Sequence, residues 1–512
     1  MGAPIENRSP LTGELIKAYP KSTGDDIKNA LGKAREAFLR WSQVPLTQRL
    51  TLIGDLRRLI IARIDEIVNL LRLVTGKTRV EALINEIFPT LDAIRFYEKQ
   101  AASILKPHLT RKPVTHPNCL FSSEYHPLGV VLILSPWNFP FQLSLIPVVT
   151  ALAAGNSVVL KTSEATPRIG ELISDLVYEA GIYPEVLQVI FGDAETGEQL
   201  IAAQPDFIFM TGSTSAGKKV MEAAAKYLIP ILLELGGKDP MIVFADANLE
   251  RAANGAVYGA FANAGQVCVS VERLYVQDSI YEAFAHQVAE KARSLRVGST
   301  DDDDIGAITS PRQLEIIKDH IEDARAKGAI LLTEFAIDRG FIKPVVLRNV
   351  NHTMKIMREE TFGPTLPLMS FQTEEEAIRL ANDSPYGLSA SVWTRDLRKA
   401  RRVAANLLTG SCAINDVIKH VGNTRLPFGG MKQSGFGRYH GAEGLRAFSR
   451  QMSVMVNKGQ TIRELNWFPY SSELSYNLKN LIRLLFGEWR QWPGWLNLFK
   501  TFRYFRWILK ER

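Results

Sequence analysis

Cys268 is the residue with the most chemistry in it. It stands in Asn263-Ala264-Gly265-Gln266-Val267-Cys268-Val269-Ser270, after a helical window and before the strand-like Leu274-Tyr275-Val276. A thiolate is a strong nucleophile where a helix N-terminus or a nearby cation lowers its pKa. A lone cysteine is more often a small buried hydrophobe, and that reading is kept for Cys119 and Cys412. Glu234 lies in Leu233-Glu234-Leu235-Gly236-Gly237-Lys238-Asp239. A carboxylate in an apolar run is costly to bury without a purpose, and a raised pKa makes it a general base. A capping or ion-paired glutamate is the alternative. Asn138, in Ser135-Pro136-Trp137-Asn138-Phe139-Pro140, carries an amide NH2 that can donate to a developing oxyanion, or it is a turn asparagine.

Two further stretches suit a nucleotide. Thr211-Gly212-Ser213-Thr214-Ser215-Ala216-Gly217-Lys218-Lys219 follows an apolar run and opens a helix, where glycines let backbone N–H groups approach a phosphate. Lys219 occupies the place of the magnesium-binding hydroxyl of a P-loop, which weakens a nucleotide-hydrolase reading, and the spacing also departs from the dinucleotide GxGxxG fingerprint. Lys161-Thr162-Ser163-Glu164 ends another run. Its cation and carboxylate suit ribose hydroxyls, with a surface ion pair as the alternative.

These residues need elements to hold them. Residues 25–105 read as helices: Ser22 or Thr23 caps, and Ile27, Leu31, Ala34, Phe38 and Trp41 follow at helical spacing. Residues 106–128, with Pro107, Pro113, Pro117 and Pro127, read as an extended or hairpin excursion. Short apolar runs at 129–134, 157–160, 187–190, 207–210 and 241–244 then alternate with helical windows, which predicts βαβ units and a parallel sheet. Ligands of such sheets sit at the carboxyl ends of strands, where most of the residues above fall. A second α/β alternation covers roughly 250–415, and a glycine-rich stretch, Pro427 to Arg438, comes after it.

In this order and spacing the stretches resemble the aldehyde dehydrogenase superfamily over roughly residues 5–455. The matches are 136–140, 161–164, Phe209 to Ser213, Leu233 to Lys238, Gly265 to Cys268, Glu359 to Pro364, Asn382 to Ala390 and 427–438. The resemblance implies an α/β fold. Residues 1–105 and 129–235 would form a Rossmann-like cofactor domain, and 236–415 an α/β catalytic domain. Residues 106–128 and 416–456 would form a small β oligomerisation element. Cys268 would attack an aldehyde, Asn138 and the Cys268 N–H would hold the oxyanion, and Glu234 would activate the hydrolytic water. Lys161, Ser163 and Glu164 would meet the adenosine ribose, and Gly212, Ser213 and Gly217 the pyrophosphate. Trp137, Leu235, Glu360 and Phe362 would line the nicotinamide side. No metal is implied. Glu164 accepts from a 2′-hydroxyl and repels a 2′-phosphate, which favours NAD and leaves NADP as the alternative. The family also implies a homodimer or homotetramer. Lys161-Thr162-Ser163-Glu164 departs from the family's Lys-Pro-Ser/Ala-Glu. Residues 437–441 look like the class 3 and fatty-aldehyde branch, whereas 267–273 look like the main branch. A CoA-acylating dehydrogenase is the alternative within the fold, disfavoured by Glu234. A non-enzymatic membrane scaffold is disfavoured by the intact Cys268, Glu234 and Asn138.

The composition supports a globular enzyme. Of 512 residues, 46% are apolar and 22% charged, as in soluble globular proteins. Three cysteines are too few for a disulfide scaffold and fit a reducing compartment. The start shows no secretory signal, and Glu6 stands where a myristoylation site needs Ser or Thr. The net charge of +7 is concentrated at the end: residues 457–512 hold ten Lys/Arg against four Glu, a net of +6. The remaining body, near +1, gives no reason to expect nucleic-acid binding. Five of eight tryptophans, Trp467, Trp489, Trp492, Trp495 and Trp507, also lie in this tail. Leu474, Leu478, Leu481, Ile482 and Leu485 predict one helix before Gly487. Trp495, Leu498, Phe499, Phe502, Phe505 and Leu509 predict another, with Lys500, Arg503, Arg506 and Lys510 on one stripe. A basic stripe with bulky aromatics is an interfacial membrane pattern, too short and too charged to span. Docking on the body or on a partner subunit is the alternative. The expectation is a cytoplasmic enzyme, peripheral on a membrane through its tail, acting on a long-chain fatty or apocarotenoid aldehyde.

Overall fold

The computed structural model describes residues 4–111, 119–459, 462, 464, 466–488 and 494–508. Pro113, Pro117, Trp489, Trp492, Leu509 and Lys510 of the sequence reading lie outside the described residues. The chain divides into two units, one of residues 1–106 and 125–451 and the other of 107–124 and 452–512.

In the larger unit a short antiparallel pair, β1 (Ile5–Arg8) and β2 (Leu15–Tyr19), precedes the helices α1 (Gly24–Trp41), α2 (Leu46–Ala62), α3 (Ile64–Thr75), α4 (Arg79–Ala82) and α5 (Phe88–Leu105). Thr23 caps α1 reciprocally with Asp26, and Ile27, Leu31, Ala34 and Trp41 are buried. Phe38 is only partly buried. Between α4 and α5 the chain makes one π-helical turn, Leu83–Ile87.

The excursion at 106–128 is a hairpin of β3 (His108–Leu109) and β4 (Cys119–Pro127). Next come β5 (Val130–Leu134), α6 (Gln142–Ala154), β6 (Ser157–Lys161), α7 (Pro167–Glu179), β7 (Leu187–Ile190), α8 (Ala194–Ala202), β8 (Phe207–Thr211), α9 (Thr214–Ala225) and β9 (Ile231–Glu234). These strands form a parallel sheet in the order β9-β8-β5-β6-β7. Strands β5 and β6 are buried throughout, which is why they read as unbroken apolar runs rather than alternating ones. The order reverses at β5, so a crevice opens outside the carboxyl ends of β5 and β8. A second sheet is built around β10 (Asp239–Val243) and β11 (Val271–Gln277), joined by α10 (Leu249–Phe261). Thr365–Phe371 and Val345–Arg348 extend it beyond β11, and Ser391–Trp393 and Ala413–Ile414 beyond β10.

Residues 416–451 fall in the larger unit. The strand Gly435–Phe436 pairs antiparallel with β9, and Leu445 and Phe448 are fully buried in the first core. Glycines hid this segment, because a two-residue strand leaves no periodicity.

In the smaller unit, β3 and β4 share a three-stranded sheet with the strand Ser449–Asn457. The helices Ser472–Phe486 and Trp495–Ile508 pack through Leu474 and Phe505, with Leu478, Leu481 and Tyr504 around them. Among the described residues no helix is long and apolar enough to cross a membrane.

Candidate active site

Two cavities meet at Cys268. The first, about 1130 Å³, is the crevice at the switch point. Its lining includes Trp137 and Asn138 after β5, Lys161, Ser163 and Glu164 after β6, and Gly212 and Ser213 after β8. Leu235 and Gly236 follow β9, and Glu360 and Phe362 come from the second α/β half. The second cavity, about 1250 Å³, exceeds the ~300–1,000 Å³ of an ordinary ligand site. Its wall carries Ile84, Phe88, Phe139, Val267, Val269, Trp393 and Phe428. Cys268, Glu234, Thr211, Leu143 and Leu235 line both.

The crevice suits a dinucleotide. Ser213 caps α9 by accepting from the Ala216 N–H. A Cβ at Gly217 would come within 2.6 Å of the Leu235 methyls, so glycine lets the helix end settle onto the strand end. The Lys161 ammonium is buried and loosely held, 3.4 Å from the Thr162 carbonyl and 3.9 Å from the Glu164 carboxylate. Burial holds its pKa below the usual lysine value. A desolvated, under-partnered cation beside an exposed carboxylate fits ribose hydroxyls. Trp137 and Phe362 meet edge to face at 5.5 Å, and Phe362 has a left-handed backbone, φ +51°. Glu360 accepts from the Gly237 N–H at 3.1 Å. A Cβ at Gly236 would fall 2.3 Å from its carboxylate. Burial and neighbouring Glu272 push the Glu360 pKa up to about 8. The loop between β8 and α9 is only Gly212 and Ser213, too short to wrap a phosphate as a P-loop does.

Cys268 is positioned by a tight turn after α10. Asn263, Ala264 and Gly265 all have positive φ, at +51°, +55° and +74°. A Cβ at Gly265 would fall 2.1 Å from the Gly363 carbonyl oxygen. The buried Glu81 carboxylate accepts from the Asn263 N–H, and the Gln266 side chain bonds Asn263 O, Ala307 O and the Thr309 N–H. The thiol follows the C-terminal end of α10 rather than a helix N-terminus. Burial, then Glu360, Asp239 and Glu234, push its pKa upward.

Glu234 ends β9 with both carboxylate oxygens buried and without a hydrogen-bond partner. Burial raises its pKa well above the usual carboxylate range, opposed by the Arg438 cation. Gly429 lets the two approach: a Cβ there would stand 3.0 Å from Glu234 Oε1 and 3.1 Å from Arg438 Nη1. Asn138 is buried, and its Nδ2 donates to the Gln266 carbonyl at 3.0 Å. An amide NH2 has two N–H groups, so one remains for a ligand. The structure thus brings Cys268, Glu234 and Asn138 to one place, and every cofactor-side residue of the sequence reading except Gly217 lines the crevice with them. Gly217 stands behind the crevice wall, where a Cβ would meet the Leu235 side chain.

Sequence reasoning missed Lys77, Glu81, Glu86, Arg438 and His440. Glu81 and Glu86 are buried charges in helices and Lys77 is one in the turn between two helices, and periodicity marks only apolar faces. Arg438 ends a quoted motif and could have been found there. Among the described residues no group of His, Cys, Asp and Glu could hold a metal ion.

An α/β architecture with a crevice at the switch point of its sheet against an apolar cavity suits a pyridine-nucleotide oxidoreductase. The chain belongs to the aldehyde dehydrogenase family, whose model matches residues 2–454. It is 47% identical over 481 residues to a 4,4'-diapolycopene aldehyde oxidase of Methylomonas sp., covering 94% of this chain and 91% of that one. It is 35% identical to a putative NADP(+) succinate-semialdehyde dehydrogenase of Mycolicibacterium smegmatis, over 87% of each. Among solved structures it resembles an NAD-dependent aldehyde dehydrogenase from Sinorhizobium meliloti, with TM-score 0.86, 36% identity, and 91% and 93% coverage. It also resembles a Staphylococcus aureus betaine aldehyde dehydrogenase in complex with NAD+, with TM-score 0.85, 31% identity, and 91% and 94% coverage. The chain is therefore an NAD(P)-dependent aldehyde dehydrogenase, and the nucleotide-hydrolase and scaffold alternatives fall away.

Proposed function

We propose that the protein oxidises a long apolar aldehyde, fatty or apocarotenoid, to its carboxylic acid, with NAD preferred over NADP. The observation that carries this is the position of Cys268 and Glu234 on the shared wall of a dinucleotide crevice and a large apolar cavity. The Cys268 sulfur, once its proton has passed to solvent water, adds to the carbonyl as a thiolate. The free Asn138 N–H and the Cys268 backbone N–H hold the resulting oxyanion. Lys161, Ser163 and Glu164 hold the adenosine ribose, Gly212, Ser213 and Gly217 border the pyrophosphate, and Trp137, Leu235, Glu360 and Phe362 border the nicotinamide. The chemistry the dinucleotide supplies there is acceptance of hydride. Expulsion of hydride leaves a thioester on Cys268, and Glu234 takes the proton of the water that hydrolyses it. That buried base favours water over coenzyme A as the acyl acceptor.

The substrate class rests on the cavity. Its cations are engaged or peripheral: Arg251 bonds Asp416, Arg425 bonds Asp92, and Lys419 is exposed. Nothing there calls for a short anionic aldehyde. Exposed Ile84, Phe88 and Tyr258 lie along it, and Phe88 is 71% exposed. The diapolycopene aldehyde oxidase name of one relative supports the same class. NADH formation with a C30 polyene aldehyde, dodecanal and succinic semialdehyde tests it. The expected kcat/KM is highest for the apolar pair, and equal or higher efficiency on succinic semialdehyde overturns the assignment. Cys268→Ser should abolish oxidation, because a hydroxyl is a far weaker nucleophile. Asn138→Ala should slow turnover by on the order of 100-fold or more.

The tail suits a membrane surface, and we place the enzyme in the cytoplasm, peripheral on an anionic bilayer. Trp495, Leu496, Phe499 and Phe502 are exposed on a helix that also carries Lys500, Arg503 and Arg506 and no acidic residue between 494 and 508. Aromatics at the headgroup level with cations beside them are the interfacial arrangement. A homodimer or homotetramer completes the reading.

A further inference from the structure

We propose that the buried Lys77–Glu86 pair is a positioning device for the Asn138 amide, which makes both residues determinants of turnover although neither reaches a substrate. The inference rests on the oxyanion role assigned to Asn138 above. Lys77 lies between the left-handed Gly76 that ends α3 and the Thr78 cap of α4, and it is almost wholly buried. Its ammonium pairs with the Glu86 Oε1 and donates to the Asn138 carbonyl oxygen at 2.9 Å. It also stands 4.6 Å over the Phe139 ring. Glu86 is fully buried in the π-helical turn, a feature common at functional sites. Its other oxygen, Oε2, accepts from the Phe141 N–H at 3.1 Å and the Gln142 N–H at 2.9 Å, at the start of α6. One ion pair therefore grips the chain on both sides of Pro140.

The grip extends to the sulfur. Asn263 Nδ2 donates to the same Asn138 carbonyl at 3.2 Å and to the Gln266 carbonyl at 3.2 Å. Asn138 Nδ2 donates to that Gln266 carbonyl in turn. Asn138, Gln266 and Asn263 form a closed ring of hydrogen bonds two residues from Cys268, and Lys77 is the cation that anchors it. Two buried charges are a costly way to hold a loop. Their cost is explained if the loop's exact placement sets the rate, since a misplacement of about 1 Å can cost on the order of 100-fold.

The test compares Lys77→Met/Glu86→Gln, Asn138→Ala and the triple variant in the full-length enzyme. Glu86→Gln keeps a side-chain oxygen for the Phe141 and Gln142 N–H groups, and the pair of changes leaves no unpaired buried charge. The expected result is a loss in kcat of about 10- to 100-fold, part of the ~10²–10³ for a whole oxyanion donor. KM for aldehyde, NAD affinity and Tm should change little. In the Asn138→Ala background the same double change should cost less than about two-fold further, because both act through one group. A slow Asn138→Ala with a wild-type double variant, or with fully multiplicative losses, overturns the positioning role alone. A loss confined to KM or accompanied by a matching fall in Tm overturns it too. A wild-type Asn138→Ala overturns the oxyanion assignment and this proposal together.

Discussion

At the scale of single residues the site is a set of groups held away from their ordinary protonation. Burial raises the Glu234 pKa, against the pull of the Arg438 cation. A base must be ionised, so hydrolysis of the acyl-enzyme should rise with pH well above the ordinary carboxylate value of about 4.3. Arg438→Leu removes the favourable charge and should move that limb to higher pH. Glu234→Gln should remove the limb and leave an acyl-enzyme visible by mass spectrometry after one burst of NADH. His440 carries the opposite kind of shift. Burial lowers its pKa to about 4, both ring nitrogens lack a hydrogen-bond partner, and its ring stacks 4.1 Å from Tyr439. The unfolded chain binds that proton near pH ~6.5. Between about 6.5 and 4 the unfolded state holds the extra proton, so stability falls as pH falls, by up to ~1.4 kcal/mol per unit. His440→Phe should flatten this acid limb in thermal melts between pH 4 and 7, and an unchanged limb would contradict the assignment.

At the scale of elements, glycines decide how closely the parts meet. Gly217→Ala drives a methyl into Leu235 and should lift α9 from the end of β9. Overpacking of this kind costs ~1–3 kcal/mol. The expected signature is a several-fold rise in KM for NAD with a lowered Tm, and unaltered NAD binding would show that α9 does not set the crevice width. The elements were readable where burial is one-sided or complete. The capped α1 showed its stripe, and the runs that became β5, β6, β8 and β10 stood out because strands buried on both faces are continuously apolar. Cys268, Glu234 and Asn138 drew notice only through their order along the chain, since each alone had an ordinary explanation. What sequence could not show was which charges go inside. Lys77, Glu81 and Glu86 sit among Arg79, Asn85 and other polar residues, and only the fold tells a buried carboxylate from a solvated one.

At the scale of the molecule, the two units have separate work in the proposed function. All residues of both cavities lie in the larger unit. Deleting 457–512 should therefore leave turnover of short soluble aldehydes within about two-fold, while releasing the protein from anionic vesicles and lowering turnover of vesicle-borne long-chain aldehydes. A flotation assay with and without anionic lipid measures the first effect, and NADH formation the second. Unchanged flotation and unchanged long-chain turnover together would remove the membrane assignment. The tail's character was legible in its composition, because a net +6 with five tryptophans differs from everything before it.

The antiparallel strand Gly435–Phe436 has a consequence for how the chain matures. Glu234 and Leu233 wait for partners that are synthesised about 200 residues later. Until those residues leave the ribosome, the first sheet has an unpaired border beside its base, and such borders invite pairing with other chains. Nascent chains halted before residue 435 should aggregate or engage chaperones more than chains halted after residue 451, so Glu234 reaches its final setting only after residue 436 has emerged.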